Sequence, residues 1–460
     1  MRKRTRRWLG ALLLPGLLLG LGAAALAEGS CVEKEEPEYI SALFDRSCVH
    51  TVAVEMDPAD WEALQKHALD KVQYSASATI DGERVDGVLF SAKGASSLYT
   101  VAMYTGYNER YSYRLDFNAE ENGGSFHGLD RLVLNSSFYD PSCMRDDLAY
   151  LLFRRAGVPA PYTSFVELTV NGEVRGLYLA VEPEEESFFE RCFGGGGAYY
   201  EPEPGALSEF YCQMIEKAKT MEPEEGLPEL EVPTFAPLYE TLGADLKYRG
   251  DDPSAYTDIF DNAAPGTTEE DDHAVIAALK ALSEGRPEDG VDTEEVTRYF
   301  AVHNFIASWD SYSWKMLHNY GLYEKDGLLS MLPWDYNLAF SDRVPANGAD
   351  GENALESVIR MDIDDPGFDG VSGKDRPMWY WIAQDGSALS AYHGVLEEDV
   401  LPYFTSGEFE KEFEACREMI RPYLEKDPTY YYSMQEFDAE CDAIRDYCLR
   451  RAESVLSQIA

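Results

Sequence analysis

Basic side chains are scarce in this chain. Lysine and arginine number 39 against 84 aspartates and glutamates, for a formal charge of −45. A surface of that sign repels phosphate backbones and anionic lipid, which argues against nucleic acid or acidic membrane as partners. Cysteine is thin as well, with eight in 460 residues. That density excludes a disulfide scaffold, and no CxxC pair or Cys/His spacing suggests zinc. A P-loop, an HExxH helix and a nucleophile elbow are also missing, which argues against Walker-type ATPases, zinc proteases and α/β-hydrolases. Beyond residue 27 no stretch is long and apolar enough to span a bilayer.

What is present is a globular composition behind a leader. Hydrophobic residues make up 45% and aromatics 13%, enough for a large core. Arg2, Lys3, Arg4, Arg6 and Arg7 precede an apolar stretch, Trp8–Leu21, and Ala25-Leu26-Ala27 offers a small-x-small cleavage site. The expectation is a signal peptide over residues 1–27 and an exported, extracellular or cell-surface protein, with an uncleaved anchor as the alternative. Cleavage removes five basic and no acidic side chains, taking the charge from −45 to −50. Such a surface favours solubility in a salty exterior, or a basic protein partner. Cys31 with Cys48 and Cys441 with Cys448 are the short-range disulfide candidates. On a helix the second pair lies two turns apart, too far to bond directly.

Turn chemistry and periodicity place an α+β fold, with a β-rich half over residues 49–200 after a linker at 28–48. Val49–Met56 alternates as a strand, and Asp57-Pro58 starts a helix running to about Lys71. Tyr74–Ile80 and Arg84–Phe90 flank Asp81-Gly82 as a hairpin; Tyr162–Val170 and Val174–Val181 flank Asn171-Gly172 as the clearest one. Ser112–Phe117 and Arg131–Leu134 are short strands. Between them and the second hairpin, Pro141 opens a helix to Ala156, stopped at Gly157. Residues 202–266, rich in Pro, Glu, Asp and Gly, read as an insertion. From 267 the pattern turns helical, with Ala274–Leu282, Thr293–Ser308, Ser406–Leu424 and Met434–Ile459. Ser341–Asp375 is an acidic, Gly-rich loop region. Its Asp362, Asp364, Asp365 and Asp369 lack calcium-loop spacing and read as solvated.

The segment Trp309–Asn337, WDSYSWKMLHNYGLYEKDGLLSMLPWDYN, concentrates the chemistry. Leu317–Tyr323 and Leu328–Leu332 form a hairpin around Glu324-Lys325-Asp326-Gly327. Pairing Tyr323 with Leu328 sets Asp335 opposite Met316, six positions after Asp310. Asp310 and Asp335, with His318 and Asn319, then gather at the open end of one hairpin. Two carboxylates beside an amide oxygen suit a hard divalent cation, and such a cation is how proteins hold triphosphates. Asp310 alone also reads as a helix-end residue and Asp335 as a turn former. Asn319 and Asn337 are candidates for further metal ligands, although Asn319 equally suits the capping of a strand start. Lys93-Gly94-Ala95-Ser96-Ser97, after a strand, exposes backbone amides that can cradle phosphates. Arg145 and Asp146, at the start of their helix, read either as touching substrate or as complementing one another on its first turn, the second being favoured.

PWDYN after HNYGLY, with DSY upstream, resembles the CotH family, atypical kinases first associated with spore coats. Further matches are KGASSL at Lys93–Leu98, YSYRLDF at Tyr111–Phe117, the run from Gly128 to Pro161, VNGEVRGLYLAVEP at Val170–Pro183, and the tail LRRAESVLSQI. The likeness runs from about Val49 to the C-terminus. It implies a bilobal atypical protein-kinase-like fold, with a β-rich N-terminal lobe and a helical C-terminal lobe at about 267–460. It also implies ATP with Mg²⁺ or Mn²⁺, and a Ser/Thr-containing protein substrate on a surface or coat. By the same resemblance Asp310 orients the acceptor hydroxyl, Asp335 holds metal, Lys93 and Arg114 screen phosphates, and Glu182 pairs with the nucleotide-facing cation. Glu182 also reads as a solvated strand end beside Glu184, Glu185 and Glu186.

The chain departs from the family pattern at several places. Ser91 and Ala95 stand where members commonly carry arginine and asparagine, Arg114 replaces a lysine, and Glu201 reverses a lysine's charge. Ser308 replaces an asparagine and Ser341 a glycine. These losses keep a second expectation open, a catalytically degenerate surface protein that retains the fold for binding or adhesion.

Overall fold

Two turns with left-handed backbone organise the first half of the chain. Asp81 and Gly82 have φ of 46° and 89°, and Asn171 and Gly172 have 50° and 83°. A two-residue turn of this hand matches the twist of the strands it joins. The first joins β2 (Tyr74–Ile80) to β3 (Glu83–Lys93) and the second joins β6 (Thr163–Val170) to β7 (Glu173–Val181). With β1 (Val49–Met56), β4 (Ser112–Asp116) and β5 (Arg131–Asn135) they form a closed barrel in the order β1-β2-β3-β4-β5-β7-β6. The computed structural model describes residues 36–117, 124–226, 241–340, 354–366 and 371–460.

Closure is sealed by β1 running parallel to β6, with Val52 opposite Leu168. Two irregularities bend the strands toward it. The pairing of β2 with β3 skips Gly87, whose φ is 73°, and the pairing of β6 with β7 skips Arg175. Bulges of this kind raise local twist, which a small barrel requires. The side-chain period of two then sorts the residues. Val88, Phe90, Tyr113, Leu115, Leu132, Leu134, Val166 and Tyr178 fill the interior. Phe165, Leu177, Leu179 and Val181 face outward into a second core, shared with helices Arg145–Arg155 and Thr293–Ile306. The outer face of β3, β4 and β5 is instead polar, and it forms one wall of the site.

The expected β-rich first half is therefore a barrel. The helix predicted from Pro141 begins at Arg145, because Asp140 accepts hydrogen bonds from the N–H groups of Ser142 (2.9 Å) and Arg145 (2.9 Å) and holds the intervening residues in a turn. The segment read as a linker contains a helix, Glu38–Leu43, whose Tyr39, Ile40 and Leu43 bury against the barrel core.

A second sheet, β10-β9-β8, joins Leu328–Pro333, Tyr320–Lys325 and Ala198–Tyr200. Its hairpin forms with a different register from the expected one. Lys325 pairs with Leu328, and Asp326-Gly327 (φ 54° and 86°) is the whole turn. Counting on from the last pair, Pro333 with Tyr320, Asp335 faces His318 and not Met316. The shift is by two residues, so each side chain keeps its face of the sheet.

The remaining chain is helical. Thr268 and Ser433 close capping boxes on Glu269–Ser283 and Met434–Ile459, and Asp292 caps Thr293–Ile306. The insertion holds a helix, Gly205–Ala218, with residues 227–240 outside the described set. Residues 37–460 form one compact unit. Among the described residues no helix is long and apolar enough to cross a membrane. The leader, Cys31, Ser341 and Asp369 lie outside the described residues. Cys441 and Cys448 are buried on the last helix as free thiols.

Candidate functional site

A cleft of about 2050 Å³ is lined by Lys93, Arg114, Asp310, Asn319, Asp335 and Asn337. Strand register explains one wall. On the outward face of β3 and β4, Lys93 lies opposite Ser112 and Ser91 opposite Arg114. On the next strand, Arg131 and Asn135 continue the same polar stripe. Lys93 is the last residue of β3, and its ammonium stands 5.2 Å from the centroid of the Trp334 ring. Burial pushes its pKa below the ordinary lysine value, while Asp335, Glu201 and Asp146 pull it back up. Gly94 follows with φ of 112°, a conformation glycine tolerates, and turns the chain into helix Ser96–Met103. Among the described residues no side chain caps that helix start, and Gly94, Ala95, Ser96 and Ser97 all line the cleft. Unclaimed N–H groups at a helix start favour an anion.

Arg114 is not a free cation. Its Nη2 bonds Glu185 Oε1, and Arg131 bonds the other oxygen of the same carboxylate. Arg131 also reaches Asp116 at 3.0 Å. Burial and the neighbouring Arg131 charge lower the Arg114 pKa.

The opposite wall carries the two aspartates. Helix Thr293–Ile306 ends at Ala307, whose left-handed φ of 50° swings the chain into the loop bearing Asp310. Asp310 is only 7% exposed. Ser308 Oγ donates to its Oδ1 at 3.0 Å and Asn319 Nδ2 to its Oδ2 at 2.7 Å. Burial, and then the charge of Asp335, nevertheless push its pKa up to about 7. Asp335 follows β10 with a left-handed φ of 50°; its N–H donates to Tyr150 Oη at 3.0 Å. Burial raises its carboxyl pKa, while Lys93 and the Asn337 N–H oppose the rise.

One neutral imidazole ties the two aspartate loops together. His303 Nδ1 meets Tyr336 Oη at 2.7 Å and its Nε2 meets Ser313 Oγ at 2.9 Å. Burial holds the His303 pKa down to about 3, so the ring stays uncharged and offers one donor and one acceptor. His318, in the cleft wall, is likewise pushed down to about 4 by burial.

The donor set fits a hard divalent cation. Asp335 Oδ1 is buried without a hydrogen-bond partner, which a carboxylate oxygen rarely tolerates unless an ion or proton completes it. Asn337 lines the same part of the cleft, and Asn319 directs its amide N–H to Asp310. Among the described residues no cluster of three or more His, Cys, Asp or Glu forms a metal cage.

The structure also places residues that were read differently. Glu182 is fully buried away from the cleft lining, where Arg191 reaches both its oxygens (3.0 and 2.6 Å) and Tyr39 Oη donates at 2.5 Å. Glu184, two positions on, does line the cleft and accepts from Tyr199 Oη at 2.5 Å. Arg145 lies against Asp140 and Glu440. His303 and Tyr150 carried no motif that could have singled them out, and neither the place of Trp334 within PWDYN nor that of Asp146 on its helix told what each side chain faces. Their roles come from long-range contacts.

The family model described as CotH kinase protein matches residues 90–455. Inner spore coat protein H of Bacillus subtilis (strain 168) is 24% identical over 322 residues, covering 69% of this chain and 74% of that protein. The inner spore coat protein H-like protein of the same organism is 40% identical over 74 residues, 16% of this chain and 22% of the relative.

Proposed function

The chain belongs to the CotH kinase protein family, and from that premise we propose that it is an exported atypical protein kinase. It transfers the γ-phosphoryl group of ATP to Ser or Thr of a surface or spore-coat protein. In this reading the barrel and the helical half act as the lobes of a kinase-like fold, with the nucleotide in the cleft between them. The observation that carries the proposal is the meeting of Asp310, Asp335 and Lys93 in one cleft beside an uncapped helix start.

Phosphoryl transfer asks for positioning and charge neutralisation more than for covalent chemistry. Asp335, with Asn337 beside it, would hold Mg²⁺ or Mn²⁺, and the bound ion would supply neutralisation of phosphate charge. Lys93, kept upright against Trp334, and the amides at 94–97 bind phosphate oxygens. Asp310 orients the acceptor hydroxyl and receives its proton. Ser308 and Asn319 fix the plane of that carboxylate, and a pKa near 7 suits a group that must gain a proton at neutral pH.

A non-catalytic binding or adhesion protein is the second reading, favoured by the pairing of Arg114 and Arg131 with the carboxylates of Glu185 and Asp116. Thermal unfolding of the full chain separates the two. ATP with Mg²⁺ at about 100 times its dissociation constant adds roughly 2.7 kcal/mol to a protein that binds it only when folded. No shift in folded protein supports the adhesion reading. Transfer of labelled γ-phosphate by the parent and by Asp335→Ala is the second arm, and equal incorporation overturns the kinase proposal.

A further inference from the structure

Asp146 sits on the first turn of helix Arg145–Arg155 and is 4% exposed. One of its oxygens is accounted for, since Asn135 Nδ2 donates to Oδ2 at 3.0 Å. Asn135 is itself fixed, because its Oδ1 accepts from the N–H of Ser137 at 3.0 Å. Among the described residues Asp146 Oδ1 has no hydrogen-bond partner. The groups that act on this carboxylate are Asp335 and Asp140, which repel its charge, Lys93, which attracts it, and the N–H of Tyr336, which donates to it. Four residues further along the same helix, Tyr150 Oη receives the N–H of Asp335 at 3.0 Å. One helix face therefore presents both Asp146 and the clamp on Asp335, as i and i+4 neighbours must.

Asp146 receives the N–H of Tyr336, the neighbour of Asp335, so two buried carboxylates meet here, and among the described residues each has an oxygen without a hydrogen-bond partner. Lys93 is the cation common to both. A buried like-charge pair of this kind costs several kcal/mol unless a cation or a shared proton joins it. A proton would quench one charge and leave the second opposite a single lysine. A divalent ion satisfies both free oxygens at once. Such an ion needs only one or two protein carboxylates when substrate phosphates and water complete its shell. Asn135 matters for a separate reason. By occupying Oδ2, it leaves the other oxygen of Asp146 free to turn toward Asp335, in the way a neighbouring donor orients a metal ligand.

We infer that Asp146 is the second carboxylate ligand of the divalent-cation site at Asp335, with Asn135 positioning it. The inference rests on the proposed metal-dependent function but names a ligand that the family motif around Asp335 does not contain. It also gives Asp146 and Tyr150 a shared role, since they receive the N–H groups of Tyr336 and Asp335 and so hold the metal-bearing loop to this helix.

Mn²⁺ binding to the full chain, followed by loss of the free-ion electron paramagnetic resonance signal, tests it without any activity assay. Titrations are run with and without a non-hydrolysable ATP analogue on the parent, Asp146→Asn, Asp335→Asn and Asn135→Ala. The expected result is at least about tenfold weaker Mn²⁺ binding for Asp146→Asn, comparable to Asp335→Asn, and a smaller loss for Asn135→Ala, within the range typical of ligands and their supporting residues. Metal-free Asp146→Asn should also melt above the metal-free parent, since it removes a buried repulsion, and should gain less from Mn²⁺. Parent-like Mn²⁺ affinity in Asp146→Asn beside a loss in Asp335→Asn overturns the inference and leaves the metal reading standing, with a proton shared by the pair. Absence of Mn²⁺ binding in the parent under both conditions overturns both. A misfolded Asp146→Asn is recognised by its melting curve, and Asn135→Ala, one hydrogen bond further out, then decides: unchanged affinity in it overturns the inference.

Discussion

Asn319 donates its side-chain amide to Asp310 Oδ2 at 2.7 Å, and so ties the start of β9 to the loop that follows helix Thr293–Ile306. The bond favours the charged form of a carboxyl that burial and Asp335 otherwise push up to about 7. Removing it should push the pKa higher still. Asn319→Ala is therefore expected to lower phosphotransfer at pH 7 by about 3- to 10-fold and to recover at higher pH, within what one charged-group hydrogen bond supplies. A pH–rate profile checks this. A loss that is equal at every pH would show that Asn319 does not act through Asp310.

Asp310 should also leave a mark on stability. An unfolded aspartate titrates near 3.9, whereas the folded group titrates at about 7. Between those values the folded chain keeps a proton that the unfolded chain has released. Stability therefore falls as pH rises through that window and levels off above it. Asp310→Asn should be more stable than the parent at pH 8, by on the order of 4 kcal/mol, with the difference vanishing toward pH 3.5. Urea unfolding of metal-free protein at several pH values measures it. Saturating Mg²⁺ should reduce the gap, because a cation at Asp335 lowers the Asp310 pKa.

Glu182 offers a contrast between site and scaffold. Its carboxylate is fully buried and bound by Arg191, Tyr39 and the Tyr162 N–H. Glu182→Gln should destabilise the protein by about 3 kcal/mol, since it strands a buried guanidinium. The nucleotide affinity of the folded fraction should stay unchanged. Weaker ATP binding at unchanged stability would return Glu182 to the nucleotide site.

A further prediction concerns the back of the barrel. Arg110 and Asp427 form a buried pair at 2.7 Å with side-chain exposures of 1% and 0%. Asp427 also accepts from the N–H groups of Leu177, Thr429 and Tyr430. Asp427→Ala should cost about 3–5 kcal/mol. Gly176→Ala should be similarly damaging, because φ is 126° there and the added methyl runs into the Asp427 carboxylate. A substantially smaller loss measured by denaturant unfolding for both variants would exclude this anchor.

Much of the local structure was legible. Asp81-Gly82 and Asn171-Gly172 announced their hairpins because few residues other than Gly and Asn/Asp tolerate those turns. Val49–Met56 and Met434–Ile459 formed over the expected residues, since one period and one set of end signals agree there. The hairpin at 320–333 formed as well, but two residues out of register, because four turn-forming residues in a row allowed more than one loop length. The residues from 93 to 337 that meet in the cleft were identifiable by motif. What surrounds them was not.

Sequence alone determined the alternation of strands, the helix ends, the acidic charge and the short motifs, because each follows from neighbours a few positions apart. Only the tertiary structure decided that the strands close into a barrel, that Glu185 claims Arg114, that Glu182 is buried on Arg191 and that Asp146 lies by Asp335. Those are contacts between residues far apart in the chain. Their energies depend on which groups lose water together, and no local pattern of residues records that.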